Sequence, residues 1–98
     1  MTKCSYNIYM QIEFDPSKDL SNVEKHGISL SRSADLTALA YVEDERFEEA
    51  RFRLYGLIDD IPHCLAGTWR GDVIRVISLR RAHDKEVRRY APQARSGL

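Results

Sequence analysis

Arg51–Arg81, RFRLYGLIDDIPHCLAGTWRGDVIRVISLRR, is the stretch of this chain that decides its fold. It divides into three segments rich in aromatic and β-branched residues: RFRLYGL (51–57), HCLAGTW (63–69) and VIRVISL (73–79). Between them stand Asp59-Asp60 and Arg70-Gly71-Asp72, residue types that accept the left-handed backbone of tight turns. Such spacing predicts consecutive antiparallel hairpins. VIRVISL is β-branched and apolar on both faces, which places it mid-sheet. An arginine inside such a strand, Arg75, then needs a carboxylate or a bound anion as partner.

Upstream, Tyr6–Phe14 (YNIYMQIEF) alternates Ile8, Met10, Ile12 and Phe14 and reads as a first strand. Asp15-Pro16 starts a helix, with Asp as cap and Pro at the first position. It ends at His26, before Gly27, the usual left-handed cap. Its apolar face is thin, Leu20 and Val23, so it should lie on the surface of a sheet. Ser29 or Ser31 caps a second helix over 30–40, with Leu30, Ala34, Ala38 and Tyr41 at helical spacing. The acidic VEDERFEEA that follows reads as a loop or a frayed helix end. A last helix over 83–91 stops at Pro92. The order β-α-α-β-β-β-α describes an α+β domain with a curled, mainly antiparallel sheet and helices packed on one side of it. Met10 could itself be a start residue, making 1–9 an N-terminal extension; 10–91 form one domain and 92–98 a flexible tail.

Ninety-eight residues leave no room for a dinucleotide-binding domain, and no apolar run is long enough to span a membrane. The first residues lack a secretory signal, so the expected location is the cytoplasm. Fifteen basic and fifteen acidic residues cancel overall. The balance is uneven, however: residues 1–69 sum to −5 and residues 70–98 to +5. Seven of the eight cations in that last part are Arg, the better grip on phosphate. This points to a local anion site rather than a general nucleic-acid coat; the competing reading of Lys85, Arg88, Arg89 and Arg95 is a solvated helix face. Cys4 and Cys64 have no zinc spacing and read as reduced thiols, Cys64 as a core residue. Glu43, Asp44, Glu45 and Asp59-Asp60 are loop carboxylates without a histidine, so neither metal nor cofactor is expected.

Three blocks carry a family resemblance: N-x-x-K-H-G-I-S (Asn22 to Ser29), E-A-R-F-x-x-Y-G (Glu49 to Gly56), and R-G-D-x-I-R-V-I-S-x-R-R-A (Arg70 to Ala82), with E-x-x-R-Y ending at Tyr90. In this order they resemble the BrnT toxins of bacterial type II toxin–antitoxin systems, over roughly residues 10–90. The chain departs from that family's pattern with Phe14 in place of Trp, Ala50 in place of an acid, and His83 in place of a hydroxyl cap. The resemblance implies a RelE-like ribonuclease fold, metal-independent RNA cleavage, and inhibition by a BrnA-type antitoxin encoded beside it. That antitoxin would be a ribbon-helix-helix protein, and DNA would be touched only through it.

Cutting RNA without a metal requires removing the 2′-hydroxyl proton, protonating the departing 5′ oxygen and stabilising a phosphorane-like charge. Lys25 and His26 sit at a helix C-terminus, where the dipole favours cations, so a protonated His26 is a candidate acid and Lys25 a phosphate ligand. The alternative is that both merely cap the helix. Glu49 is the candidate base, two residues from Arg51 and on the same face of an extended chain; the alternative is a simple ion pair between them. Arg51, Arg75 and Arg80 complete the catalytic set, Arg75 and Arg80 on opposite strand faces if the strand stays regular. Arg81, Arg89 and Tyr90 are candidate substrate contacts, Tyr90 by stacking on a base or else as a core residue. A second reading is a catalytically inactive module that only binds RNA or the antitoxin.

Overall fold

The structure, a computed structural model, describes residues 11–46 and 48–93. Five strands form one sheet: β1 (Ile12–Glu13), β2 (Thr37–Asp44), β3 (Arg51–Ile58), β4 (Ile61–Arg70) and β5 (Val73–Arg81). Their spatial order is β1-β5-β4-β3-β2; β2 to β5 form an antiparallel meander, and β1 runs parallel to β5. Asp59 and Asp60 both take positive φ (54° and 63°), the backbone that a two-residue hairpin turn requires. The three hairpin strands therefore stand where the sequence puts them. Of the expected first strand, Tyr6–Phe14, residues 11–14 are described and Ile12–Glu13 of them form β1; Cys4, Ile8 and Met10 lie outside the described residues.

The second helix expected over 30–40 is not there. Ser29 does cap a turn, accepting from the Ser31 N–H at 3.2 Å, but that turn is a six-residue 3₁₀ segment, Leu30–Asp35. Thr37–Asp44 is instead β2, paired with β3, and takes up part of the acidic stretch read as loop. Pairing with β3 decides the matter over local helical spacing. Contact is close: a Cβ on Gly56 would collide with the Thr37 backbone carbonyl.

The first helix, α1 (Pro16–His26), matches expectation at both ends. Ser17 N–H donates to Asp15 at 2.9 Å, and Gly27 takes φ 73°. Its attachment differs from expectation, because Leu20 is 71% and Val23 44% exposed. Buried Asn22 holds the helix instead, donating to Leu79 O (2.7 Å) and Ile28 O (2.9 Å) while accepting from Leu79 N–H (3.1 Å). Among the described residues β1 pairs β5 at Ile74 and Arg75, and at Leu79 the Asn22 amide stands in for a neighbouring strand. Asp19 adds bonds to Ser29 Oγ and Leu30 N–H.

Apolar residues gather on both faces of the sheet. One cluster joins Leu54, Leu65, Ile74, Val76 and Leu79 to Leu30 and Leu36 of the 3₁₀ region. The other joins Tyr55 and Cys64 to Val87, Ala91 and Tyr90, carried by or next to α2 (Asp84–Tyr90). Helical segments thus lie on the two opposite faces, not on one side as the order of elements implied. Glu86 caps α2, its Oε1 accepting from the His83 N–H at 2.9 Å.

Candidate functional site

The face of the sheet opposite the larger core carries the arginines, and strand register arranges them. Asp44, Arg51, Thr68, Arg75 and Glu13 form one row across β2, β3, β4, β5 and β1; Arg51 stands one pair beyond Phe52–Gly67, where Thr68 Oγ1 donates to the Ala50 carbonyl. Val42, Arg53, Ala66 and Ser78 form the next row, and Ala40, Tyr55, Cys64 and Arg80 the third. Small side chains of β4 (Ala66 and Thr68, with Cys64 at the end that α2 covers) therefore floor a trough. Arg51 and Arg53 wall one side, and Arg75 and Arg80 the other, two strand spacings or about 10 Å apart.

Arg75 and Arg80 share a face only because β5 is irregular. Ala66 pairs with Ser78 but Gly67 pairs with Val76, so Ile77 is an extra residue, a β-bulge. The bulge resets the alternation: Val76 and Leu79 both enter the core, and Arg75 and Arg80 both enter the trough. The expectation of opposite faces held only for a regular strand and is corrected here. Nor is β5 apolar on both sides. Its second face, Arg75, Ser78 and Arg80, lines the trough.

Each guanidinium has a carboxylate partner, held with different firmness. The four arginine side chains are only 23% to 29% exposed. Arg80 makes a two-pronged contact with Glu86, 2.7 and 2.9 Å, at a carboxyl 15% exposed. The Arg80 guanidinium, with help from the His83 N–H and the Tyr55 hydroxyl, holds the Glu86 carboxyl down at about 2. Tyr55 donates to Glu86 at 2.9 Å and accepts from Arg53 at 2.8 Å; burial pushes its phenol well above the usual range. Burial likewise pushes the Cys64 thiol up, consistent with a core residue. In contrast, Arg75 meets Glu13 at 3.1 Å and Arg51 meets Glu49 at 2.9 Å, with the two carboxylates 40% and 63% exposed. Exposed pairs of this kind contribute little, so Glu13 and Glu49 hold their arginines less firmly than Glu86 holds Arg80.

Arg53 was not among the expected residues. Strand alternation from Arg51 puts it on the same face, and that signal was present in RFRLYGL. Its guanidinium lies 5.7 and 5.5 Å from the ring centres of Tyr55 and Tyr90, and its buried Nε has no hydrogen-bond partner. Tyr90 stacks on Tyr55 at 5.1 Å and 8°, closing the end of the trough as part of the second cluster. Arg89 lies over the Tyr90 ring at 5.4 Å.

Lys25, His26 and Arg81 are elsewhere. Lys25 is exposed on α1, beside Ile77 and Ser78. His26 and Arg81 line a groove of about 270 Å³ on the opposite edge, together with Arg32, Asp59 and His63. His63 is a second residue not singled out by the sequence. It is 6% exposed, and its Nδ1 lies 2.7 Å from Ile61 O. A carbonyl can only accept, which assigns the proton to Nδ1 and leaves Nε2 as the basic nitrogen. The expected site residues therefore fall into two groups on two sides of the molecule. Among the described residues no three His, Cys, Asp or Glu side chains converge so as to hold a metal ion, and no helix is long and apolar enough to cross a membrane.

Comparison with known proteins bears on what such a fold does. No curated protein sequence matches this chain. Among solved structures, the crystal structure of the Brucella abortus ribonuclease toxin, BrnT, is similar at 26% identity and a TM-score of 0.58, covering 76% of this chain and 99% of that one. Residues 14–86 match the sequence model of the family described as "Ribonuclease toxin, BrnT, of type II toxin-antitoxin system". With well over half of its length matched, and a BrnT fold alongside, this chain belongs to the BrnT family of type II toxin–antitoxin ribonuclease toxins.

Proposed function

We propose that this chain is a RelE-like endoribonuclease of the cytoplasm that cuts RNA without a metal ion and so arrests translation and growth. The observation that carries the reading is the trough, where four guanidiniums face one another across a floor of small side chains. A phosphodiester in the trough takes Arg51 and Arg75 from their exposed carboxylates, while Arg53 and Arg80 stay oriented by Tyr55 and Glu86. Glu49, freed beside Arg51, accepts the proton of the 2′-hydroxyl. The 2′ oxygen attacks phosphorus, the bond to the 5′ oxygen breaks, and that oxygen takes a proton from water at the open face. The products are a 2′,3′-cyclic phosphate and a 5′-hydroxyl. Fixed cations aimed at the developing charge are the largest contribution to such a rate.

The groove supports a second reading, because it holds two imidazoles, His26 and His63, and two guanidiniums, Arg32 and Arg81. There His63 Nε2 acts as base, His26 as acid, Arg81 as phosphate ligand and Lys25 as a neighbouring cation. RNA cleavage in EDTA by purified wild type, Arg75→Ala and His26→Ala separates the two. The trough reading expects Arg75→Ala to lose about 10²–10³-fold in rate with His26→Ala within a few-fold of wild type; the reverse ranking moves the chemistry to the groove. A folded wild type that binds RNA without cutting it is the inactive binding module. In either case the expected regulator is a BrnA-type ribbon-helix-helix antitoxin, through which alone the complex contacts DNA.

A further inference from the structure

The larger core opens at one end of the sheet onto three rings in a row. Tyr41 (β2) stacks on Phe52 (β3) at 5.0 Å, and Phe52 meets Trp69 (β4) at 5.3 Å. Phe52 is buried because its two neighbours fold over it, and each of these remains about half exposed, Tyr41 at 47% and Trp69 at 48%. Trp69 Nε1 donates to the Tyr41 hydroxyl at 3.2 Å, tying the pair together. The rings line a hollow of about 360 Å³. Half of two large aromatic side chains amounts to roughly 200 Å² of ring surface. That is an anchor rather than a complete interface, which takes about 800 Å² per partner.

An exposed aromatic pair on a ribonuclease could stack bases, but the charge around this one argues against RNA. Glu43, Glu45 and Glu48 line the same hollow, are exposed, and have no cation partner among the described residues. Arg46 in the same segment is taken by Asp44 at 2.7 Å, and Arg51, which lines the hollow, is engaged by Glu49 at 2.9 Å. A polyanion is repelled here, whereas a basic segment is attracted. We infer that the Tyr41–Trp69 patch with its glutamate rim docks the antitoxin, through a segment that carries Lys or Arg side chains around an aromatic or aliphatic anchor. Tethered Trp and Tyr side chains are the residue types that dominate such contacts, and an arginine of the partner gains a cation–π contact on Trp69. The inference deepens the toxin reading and rests on it. It places the inhibitor's aromatic anchor on the core side of the sheet, in a hollow that reaches Glu49 and Arg51 at the end of the trough, so that a docked antitoxin adjoins the RNA surface.

The test uses the full chain and the antitoxin encoded beside its gene. Affinity is measured for wild type, Trp69→Ala, and the triple variant Glu43→Lys/Glu45→Lys/Glu48→Lys, whose substitutions are exposed and leave the core untouched. RNA cleavage is assayed in parallel. Trp69→Ala is expected to weaken antitoxin binding by about 30-fold or more. The triple variant should weaken it about tenfold at low salt and less at high salt, with cleavage at least as fast as wild type. Two folded variants that bind the antitoxin as wild type does overturn the inference while leaving the toxin reading intact. Loss of RNA binding by Trp69→Ala with antitoxin affinity unchanged would assign the patch to RNA. A wild type that binds no such antitoxin removes the partner reading and the patch with it.

Discussion

The two faces of the sheet use the same strands for opposite ends. On one, Leu54, Leu65, Ile74, Val76 and Leu79 are closed over by Leu30 and Leu36 of the 3₁₀ region. On the other, arginines and small residues alternate with them, and among the described residues α2 covers one end. Period-two alternation lets a single strand satisfy both demands. The contrast is between free energy gained by removing surface from water and free energy held in oriented charge. The first is insensitive to pH and salt, whereas the second responds to both. Each face should therefore fail in its own way when a side chain is removed.

Leu65→Ala, at a fully buried position, is expected to have the largest effect, about 3–5 kcal/mol of stability read by urea denaturation. RNA cleavage at a temperature where the variant is folded should stay near wild type. A large rate loss at unchanged stability would erase the distinction between the faces. Arg53→Ala should do the opposite, slowing cleavage about 10²-fold, or about 3 kcal/mol of barrier, with a smaller change in stability. Stability loss alone would make Arg53 a packing residue.

Glu86→Gln sharpens the comparison through pH. Its carboxyl is held at about 2, below its ordinary 4.5, so it contributes stability that is present above about pH 4.5 and lost as pH falls toward 2. The variant should be less stable than wild type by up to about 3 kcal/mol at neutral pH, and the gap should close on acidification. A gap that stays constant with pH would mean the loss is packing rather than charge. The smallest change is expected for Arg88→Ala, which removes an exposed pair with Asp84 at 2.7 Å; within about 0.5 kcal/mol of wild type is the expected result. Arg80–Glu86 and Arg88–Asp84 have the same shortest contact and differ in burial, which makes them a direct comparison.

The hairpins over 51–81 were legible because β-branched alternation and turn residues agree. β2 was not, since Leu30, Ala34, Ala38 and Tyr41 recur at helical spacing while the deciding contact is a pairing with distant β3. The ends of α1 were readable from Asp15 and Gly27. Its attachment was not, because Asn22 binds a strand 57 positions away. Among the site residues, Arg75 was readable as an arginine needing a partner, and it has Glu13. The grouping of Arg75 with Arg80, and the separation of both from His26, depend on register, which no local pattern records.

The Ile77 bulge also determines where this chain tolerates a change in length. Deleting Ile77 would leave Val76 and Leu79 inward and Arg75 and Arg80 outward, because a regular strand then joins two halves already in phase. Deleting Val76 would do the same, with Ile77 in its inward place, whereas deleting Leu54 from β3, whose pairing with β4 has no irregularity, would shift one half of that strand against the other and drive Arg53 or Tyr55 toward the core face. In β5 the spare residue acts as a spacer, and a family built on this strand can lose one residue at Ile77 and keep both faces.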